Sequence, residues 1–184
     1  MHRLLAVLCG LLLLAGSTVA TVSAQDATPD EEDVSTEATP TGDATGDPAV
    51  GDRVPYVDEN GEEIGFVTVE SVTDDFDDFD EFFTPEEDAR YLAVELSFES
   101  TGDEFEANPF DFGVQTVDGF FYSTGFVSRE DNENPPELES TTVEEGESTS
   151  GVIFFVVPAE AELTRLFWQP DTGRLLVVAD LAAA

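Results

Sequence analysis

Residues 74–83 are the segment of this 184-residue chain whose side chains could most readily do chemistry, and they read Asp-Asp-Phe-Asp-Asp-Phe-Asp-Glu-Phe-Phe. Six carboxylates lie within eight residues. Carboxylate oxygens suit Ca²⁺, although the spacing differs from the Asp-x-Asp-x-Asp-Gly order of a calcium-binding loop. Three interpretations follow: a solvated loop held to the domain by its Phe rings, a Ca²⁺ site formed by Asp74 to Glu81, or a loop that presents Phe rings to a protein or glycan partner.

The residue types that the chain lacks exclude most catalytic mechanisms. His2 and Cys9 are its only His and Cys, and it contains no Lys. Without the N-terminal leader there can be no Ser-His-Asp or Cys-His nucleophile, no Schiff-base lysine and no His or Cys metal site. We therefore predict a protein that is not an enzyme, and we assign no catalytic, cofactor-binding or metal residues; Ca²⁺ is the only cofactor that stays open.

A hydrolase that uses carboxylates alone is the remaining catalytic alternative. Glycoside hydrolases need only two carboxyl groups, one of them with a raised pKa. With 42 Asp and Glu any pair can be nominated, and the pair Glu95 and Glu99 falls on a strand face that we expect to meet solvent. This alternative therefore has no specific candidate residues.

Residues 1–24 have the features of a secretory signal peptide. Arg3 precedes an apolar run from Leu4 to Ala15, and Val22-Ser23-Ala24 supplies the small residues that a signal peptidase reads. A retained anchor and a lipidated Cys9 are the alternatives. The run is short for a membrane span and continues past Cys9, so we expect a secreted, extracellular or cell-envelope protein without stable membrane insertion.

The charge of the chain restricts its partners. Loss of Arg3 with the leader leaves five Arg against 42 Asp and Glu, a net charge of −37. Nucleic acid is excluded because phosphate binding needs Lys and Arg. The expected partner is an unidentified protein or glycan, and we expect a monomer. Adaptation to high salt is a competing explanation of the acidity.

The chain divides into a linker and one domain. Residues 25–50 are rich in Thr, Asp, Glu, Pro, Ala and Gly and nearly lack large apolar residues, a composition typical of disorder. Residues 51–181 form a domain of ordinary size. Short apolar runs separated by turn residues recur along it, which favours an all-β fold.

Strand patterns account for most of this domain. Arg90 to Ser100 alternates apolar and polar residues, so one face should be buried and the other solvated. Thr149 to Val157 is apolar on both faces, which is typical of a central strand, and Pro158 should end it. Further strands are predicted at 53–57, 64–72, 112–117, 120–123, 140–143, 163–169 and 174–179. We predict an immunoglobulin-like antiparallel β-sandwich, with a small barrel as the alternative.

Three turn sequences indicate hairpins. Asn60-Gly61 should form a tight turn in which both residues adopt positive φ, and this explains Asp58 to Glu63 better than its superficial similarity to a calcium loop. Asp118-Gly119 indicates a second hairpin. Pro170 to Gly173 should join the last two strands.

Four turn and strand motifs follow one another along the domain: Ser100-Thr101-Gly102-Asp103, Asp118 to Tyr122, Gly146-Glu147-Ser148 and Gly151 to Pro158. Their order resembles that of a family of exported bacterial immunoglobulin-like domains of unknown function, which is grouped with immunoprotective extracellular proteins. The resemblance spans about residues 51–179, with Ser100 in place of the usual Asn. It implies a secreted β-sandwich and carries over no catalytic residues.

The aromatic residues are divided between core and surface. Phe98, Phe112 and Phe155 should lie in the core. Trp168 and Phe167 point to opposite faces of their strand, so at least one of them could be exposed. A buried Trp168 between the sheets is favoured over an exposed ring that stacks on a sugar or marks an interface.

Overall fold

The computed structural model describes residues 46–129, 135–182 and 184. The predicted signal peptide at 1–24 lies outside the described residues, as does the predicted linker up to residue 45. Within the described ranges the strands are β1 (Arg53–Val57), β2 (Glu63–Phe76), β3 (Ala89–Ser100), β4 (Phe105–Ala107), β5 (Phe112–Thr116), β6 (Phe121–Gly125), β7 (Thr141–Val143), β8 (Ser148–Pro158), β9 (Leu163–Trp168) and β10 (Leu176–Asp180). A short 3-10 helix, Pro109–Asp111, precedes β5.

Eight strands form one folded antiparallel sheet in the order β1-β2-β3-β8-β6-β5-β9-β10, and β4 pairs separately with β7. The sheet turns at β6, whose first residues pair with β5 and whose last residues, Thr124 and Gly125, pair with β8. The two layers on either side of this turn pack face to face, as in a sandwich. The predicted all-β, immunoglobulin-like antiparallel sandwich is confirmed. In the described part of the chain β1 and β10 are edge strands, so the sheet is not a closed barrel.

Aromatic rings fill the space between the layers. Trp168 lies 4.8 Å from Tyr56, 5.6 Å from Phe98 and 6.0 Å from Phe112, measured between ring centroids. Trp168, Phe98 and Phe155 are fully buried. The predicted core positions of Phe98, Phe112 and Phe155 and the buried inter-sheet Trp168 are therefore confirmed. Phe167, on the other face of β9, is partly exposed and contacts Phe121.

The expectation that the outer face of β3 meets water is wrong for part of the strand. Leu92, Val94, Leu96 and Phe98 face the core as predicted, but Tyr91 and Ala93 on the other face are also buried. They belong to a second apolar cluster with Val127, Val152 and Phe154, against which Phe76 and Phe79 pack. The outer side of β3 and β8 is thus covered by a further layer of chain.

Two differences from the predicted elements have local causes. β2 continues four residues past Val72, to Phe76, through an irregularity at Asp75, which adopts a φ of 57°. That residue resets the alternation of side chains, because a bulge adds one residue to one strand. β4 and the 3-10 helix were not predicted, since segments of three residues produce no recognisable period.

The first hairpin turn differs from the prediction in one respect. Gly61 has a φ of 87°, but Asn60 does not adopt positive φ. The turn instead closes around Asp58, whose carboxylate accepts hydrogen bonds from the backbone N–H groups of Asn60 and Glu62 at 2.8 Å. These bonds, the one from Glu62 above all, hold the pKa of Asp58 below its ordinary value. At the other two predicted turns Gly119 and Gly173 have positive φ, as expected.

The last residues of the predicted linker contact the sandwich. Asp47 forms an ion pair with Arg165, and the Pro48 carbonyl accepts from the backbone N–H of Asp180 at 2.5 Å. Val50 packs against the main core. Within the described ranges, no helix is long and apolar enough to cross a bilayer.

Candidate functional site

The acidic Phe-rich segment, residues 74–83, lies on the outer face of the sandwich. Phe76 contacts Phe154 of β8 at 5.2 Å, and Phe79 contacts Tyr91 of β3 at 5.4 Å, both between ring centroids. The Tyr91 hydroxyl donates to the carbonyl of Phe83 at 2.7 Å, and burial raises the pKa of Tyr91 above 10.0. Of the three interpretations of this segment, the contacts favour a solvated acidic loop held to the domain by its Phe rings.

A second segment completes this outer layer. The backbone N–H of Asp80 donates to the carbonyl of Ser128 at 2.9 Å, and Val127 is fully buried beneath the layer. Phe83 and Phe126 meet with centroids 5.6 Å apart. The loop after β2 and the residues after β6 therefore support each other, although more than 40 residues separate them in sequence.

Three Phe rings in this region are left largely exposed. Phe82, Phe110 and Phe126 are 85%, 76% and 68% exposed. Single exposed apolar residues are ordinary on protein surfaces, whereas groups of them mark interaction sites. Phe110 and Phe126 are such a group because they line the same depression.

That depression, called here the aromatic cleft, lies between the 3-10 helix, the end of β6 and the outer face of β8. Its volume is about 110 Å³, well below the roughly 300 Å³ at which small-molecule sites begin. A space of this size fits one side chain of a partner. Its lining is mostly apolar and comprises Pro109, Phe110, Thr124, Gly125, Phe126, Val127, Glu137, Leu138, Val152, Ile153 and Phe154.

Close backbone packing sets the position of one wall. The N–H of Leu138 donates to the carbonyl of Val152 at 3.0 Å, and the N–H of Val152 donates to the carbonyl of Pro136 at 2.9 Å. A Cβ on Gly151 would lie 2.5 Å from the Cα of Leu138, so glycine is required for this approach. Gly151 thereby places Glu137 and Leu138 against β8.

The surroundings of the cleft are acidic. Glu137 lines it, and Asp77, Asp78 and Glu81 are exposed on the neighbouring segment 74–83. Arg129 is close by but buried, with its guanidinium carbon 5.5 Å from the ring centre of Phe154 and a hydrogen bond to the Pro135 carbonyl at 2.7 Å. The cleft thus combines aromatic rings with one carboxylate of its own, Glu137, beside an acidic segment of the chain.

The carboxylates proposed as Ca²⁺ ligands are not gathered into a cage. In the described part of the chain no three Asp, Glu, His or Cys side chains converge in a way that could hold a metal ion. Asp74 instead forms an ion pair with Arg90 at 2.6 Å, and the side chain of Asp80 accepts from the backbone N–H of Phe82. Calcium binding by Asp74 to Glu81 stays a prediction.

Arg90 is a structural residue at the edge of a larger depression of about 400 Å³. Its guanidinium donates to both carboxylate oxygens of Asp74 and to the carbonyls of Pro158, Ala159 and Ala161. These five bonds use all five donors of the group. Arg90 therefore ties the end of β2 to the β8–β9 turn and has no donor left for a ligand.

The remaining carboxylates of interest are also separate from the aromatic cleft's lining. Glu99 pairs with Arg53 at 2.7 Å, and Glu95 accepts from Ser71. Asp111 has its pKa raised to about 6, mainly by burial and further by the charges of Asp171 and Glu106. The sequence could not reveal Asp111, because Asp171 approaches it only in the folded chain.

Comparison with known proteins identifies a family and a fold. The sequence profile of the family described as Domain of unknown function (DUF4352) matches residues 64–173. No curated protein matches the chain in sequence.

Three solved structures share the fold. The secreted protein MPT63 from Mycobacterium tuberculosis has 15% identity and a TM-score of 0.54, with 71% of this chain and 94% of that one covered. The yjhA protein from Bacillus subtilis has 15% identity and a TM-score of 0.52, with 73% and 98% covered. The ycdA protein from Bacillus subtilis has 19% identity and a TM-score of 0.50; the match covers 71% of this chain but only 39% of that one.

Proposed function

Because the chain belongs to the family Domain of unknown function (DUF4352), which names no activity, we propose a function from its surface: it is an exported, non-enzymatic binding module that engages its partner through the aromatic cleft. The observation that carries the proposal is that Phe110 and Phe126, 76% and 68% exposed, line the same mostly apolar depression. Contact of such a group of apolar rings with water is unfavourable, and a partner that covers the rings removes this cost.

The composition of the chain supports binding rather than catalysis. Nucleophile systems that need His, Cys or Lys are excluded after loss of the leader. Asp111, with its raised pKa, does not line the aromatic cleft. The cleft itself contains one carboxylate, Glu137, whereas glycoside hydrolysis by carboxylates needs two.

Export is supported by the N-terminal sequence and by one relative. Residues 1–24 have the organisation of a signal peptide, and MPT63 is a secreted protein of the same fold. We propose that the mature chain acts outside the cell or in the cell envelope. Its predicted grouping with immunoprotective extracellular proteins stays a prediction.

Site-specific photo-crosslinking tests the proposed function even though the partner is unidentified. A Phe126→p-benzoylphenylalanine variant, produced in the cells that naturally export the chain, should yield a discrete adduct on irradiation. The matched control is Phe120→p-benzoylphenylalanine, because Phe120 is also exposed, at 65%, but does not line the cleft. Equal adducts from both positions, or none from position 126, would contradict the proposal.

A further inference from the structure

We propose that the partner of the aromatic cleft is a cationic polypeptide segment, one Arg or Lys side chain of which enters the cleft between Phe110 and Phe126. This inference rests on the proposed function and adds the chemistry of the partner. Three properties of the cleft carry it: its size, its aromatic lining and the charge around it.

The size of the cleft selects a single side chain. A volume of about 110 Å³ is too small for a drug-sized ligand but suits one anchoring side chain at a protein interface. The mostly apolar lining, including Val127 and Leu138, can pack against the aliphatic stem of Arg or Lys. Such stems bury readily while the charged head stays at the rim.

The rings at the rim attract cations. The face of a Phe ring is electronegative and binds an Arg or Lys head within about 6 Å of its centre. This chain already uses that geometry twice, with Arg53 3.4 Å above the ring of Phe66 and Arg129 5.5 Å from the ring of Phe154. Phe154 is part of the lining of the cleft, so one ring of the lining already contacts a cation.

The charge around the cleft also favours a cation. Glu137 lines the cleft, and exposed carboxylates at Asp77, Asp78 and Glu81 lie on the adjoining segment. In the described part of the chain, three of the few basic side chains already form ion pairs, with Asp47, Asp74 and Glu99. An incoming Arg or Lys therefore meets the Glu137 carboxylate, which can accept a charge-assisted hydrogen bond, while the acidic segment adds a favourable negative field.

Competing occupants are disfavoured by the same charge. A second copy of this chain would bring together two molecules that each carry −37 after loss of the leader, and their mutual repulsion opposes association. Acidic glycans are repelled in the same way. Neutral glycans remain as an outcome of the test, because they stack on aromatic rings without needing charge.

The test is titration of residues 25–184 with an acetylated, amidated Gly-Arg-Gly-Arg-Gly peptide, followed by amide chemical shifts in NMR. The uncharged citrulline analogue of the peptide and a neutral chito-oligosaccharide serve as comparison ligands. The expected result is that only the Arg peptide shifts amides, and that the shifts cluster at residues 110, 124–127 and 137–138. A Phe110→Ser/Phe126→Ser variant should bind the Arg peptide about tenfold more weakly.

Three controls separate specific docking from general attraction to an acidic protein. Phe120→Ser changes a similarly exposed ring outside the cleft and should leave the affinity unchanged. Glu137→Gln removes one charge without removing a ring and should weaken binding severalfold. Sedimentation of the free chain tests whether a second copy binds to it, and we expect the chain to sediment as a monomer.

Four results would overturn the proposal: shifts spread over the whole acidic surface, equal affinity in the Phe110→Ser/Phe126→Ser variant, preference for the oligosaccharide, or dimerisation through the cleft. If position 126 still gives a discrete adduct in cells while the Arg peptide does not bind, the cleft remains a binding site and the cationic partner is wrong. If neither experiment succeeds, the proposed function fails as well.

Discussion

Two aromatic clusters lie on opposite sides of the sheet that contains β3 and β8, and they differ in how completely their rings are buried. Between the layers, Trp168 is surrounded by Tyr56, Phe98 and Phe112, and it is fully buried. On the outer side, Phe154 is buried, but Phe126, Phe110 and Phe82 are largely exposed, at 68%, 76% and 85%. The same residue type therefore supplies stability in one cluster and, as we propose, recognition in the other.

The largest effect should come from the inner cluster. Trp168→Ala should lower the free energy of unfolding by about 3–5 kcal/mol, because truncation of a buried aromatic leaves a cavity between the sheets. Trp168→Phe should cost less than Trp168→Ala, because the Phe ring still fills much of that space; within the described residues the indole N–H has no hydrogen-bond partner whose loss would add to either cost. Chemical denaturation measures both; equal costs would contradict the view that the space filled by the ring sets the loss.

A smaller loss is expected at the wall of the cleft. Gly151→Ala would place a methyl group 2.5 Å from the Leu138 backbone and should destabilise the fold by roughly 1–3 kcal/mol. Backbone atoms cannot yield as a flexible side chain can. The control is Gly46→Ala, where a Cβ meets nothing within 4 Å. Similar unfolding midpoints for the two variants would contradict the close approach.

The outer layer should contribute less than the inner cluster. Phe79→Ala removes a partly buried ring that packs on Tyr91, and the expected cost is about 1–2 kcal/mol. Hydrogen exchange should show that the change is local, with faster exchange in segment 74–83 and little change in β5 and β9. A loss as large as that of Trp168→Ala would mean that the two clusters fold as one unit.

The pH dependence should contain a contribution from Asp111. Its pKa is raised from 3.8 to about 6, so the native state holds this proton more tightly than the unfolded chain. The stability that this gives is fully present below about pH 4 and is lost as the pH rises through about 6. After allowance for solvent screening at a partly exposed group, the loss is roughly 1 kcal/mol.

Asp111→Asn should remove this pH-dependent loss. Asp171→Asn should lower the pKa of Asp111, since the charge of Asp171 helps to raise it. The measurements are unfolding free energies from pH 4 to 7 and the carboxyl carbon titration in NMR. A variant Asp111→Asn with the same pH profile as the natural chain would show that other groups dominate.

Features with local sequence signals were predictable, and features made by distant segments were not. The alternation in β3 and the apolar run in β8 identified both strands, and Asp118-Gly119 identified its hairpin. The cleft escaped prediction because Phe110, Phe126 and Leu138 come from three separated segments. The sequence feature that came nearest to indicating an outer apolar surface was the Phe spacing in residues 74–83. Phe rings that alternate with acidic residues need an apolar surface to pack against.

Phe167 and Trp168 show a second limit of prediction from the sequence. Alternation assigned them to opposite faces of β9, but periodicity alone could not say which face was the inner one. The fold decides this, because Phe112 of the neighbouring strand β5 stacks on Trp168 with an angle of 8° between the ring planes.

The most direct test of the account compares stability and partner contact in one pair of proteins. A Phe82→p-benzoylphenylalanine crosslinker, at the most exposed of the Phe rings, is placed in the natural chain and in the Phe110→Ser/Phe126→Ser variant. We predict unfolding free energies that agree to within about 1 kcal/mol, because both rings are largely exposed although Phe126 loses its contact with Phe83. We also predict an adduct that forms only when Phe110 and Phe126 are present. An adduct of equal yield in both proteins, or a marked loss of stability in the variant, would contradict the assignment of these rings to recognition.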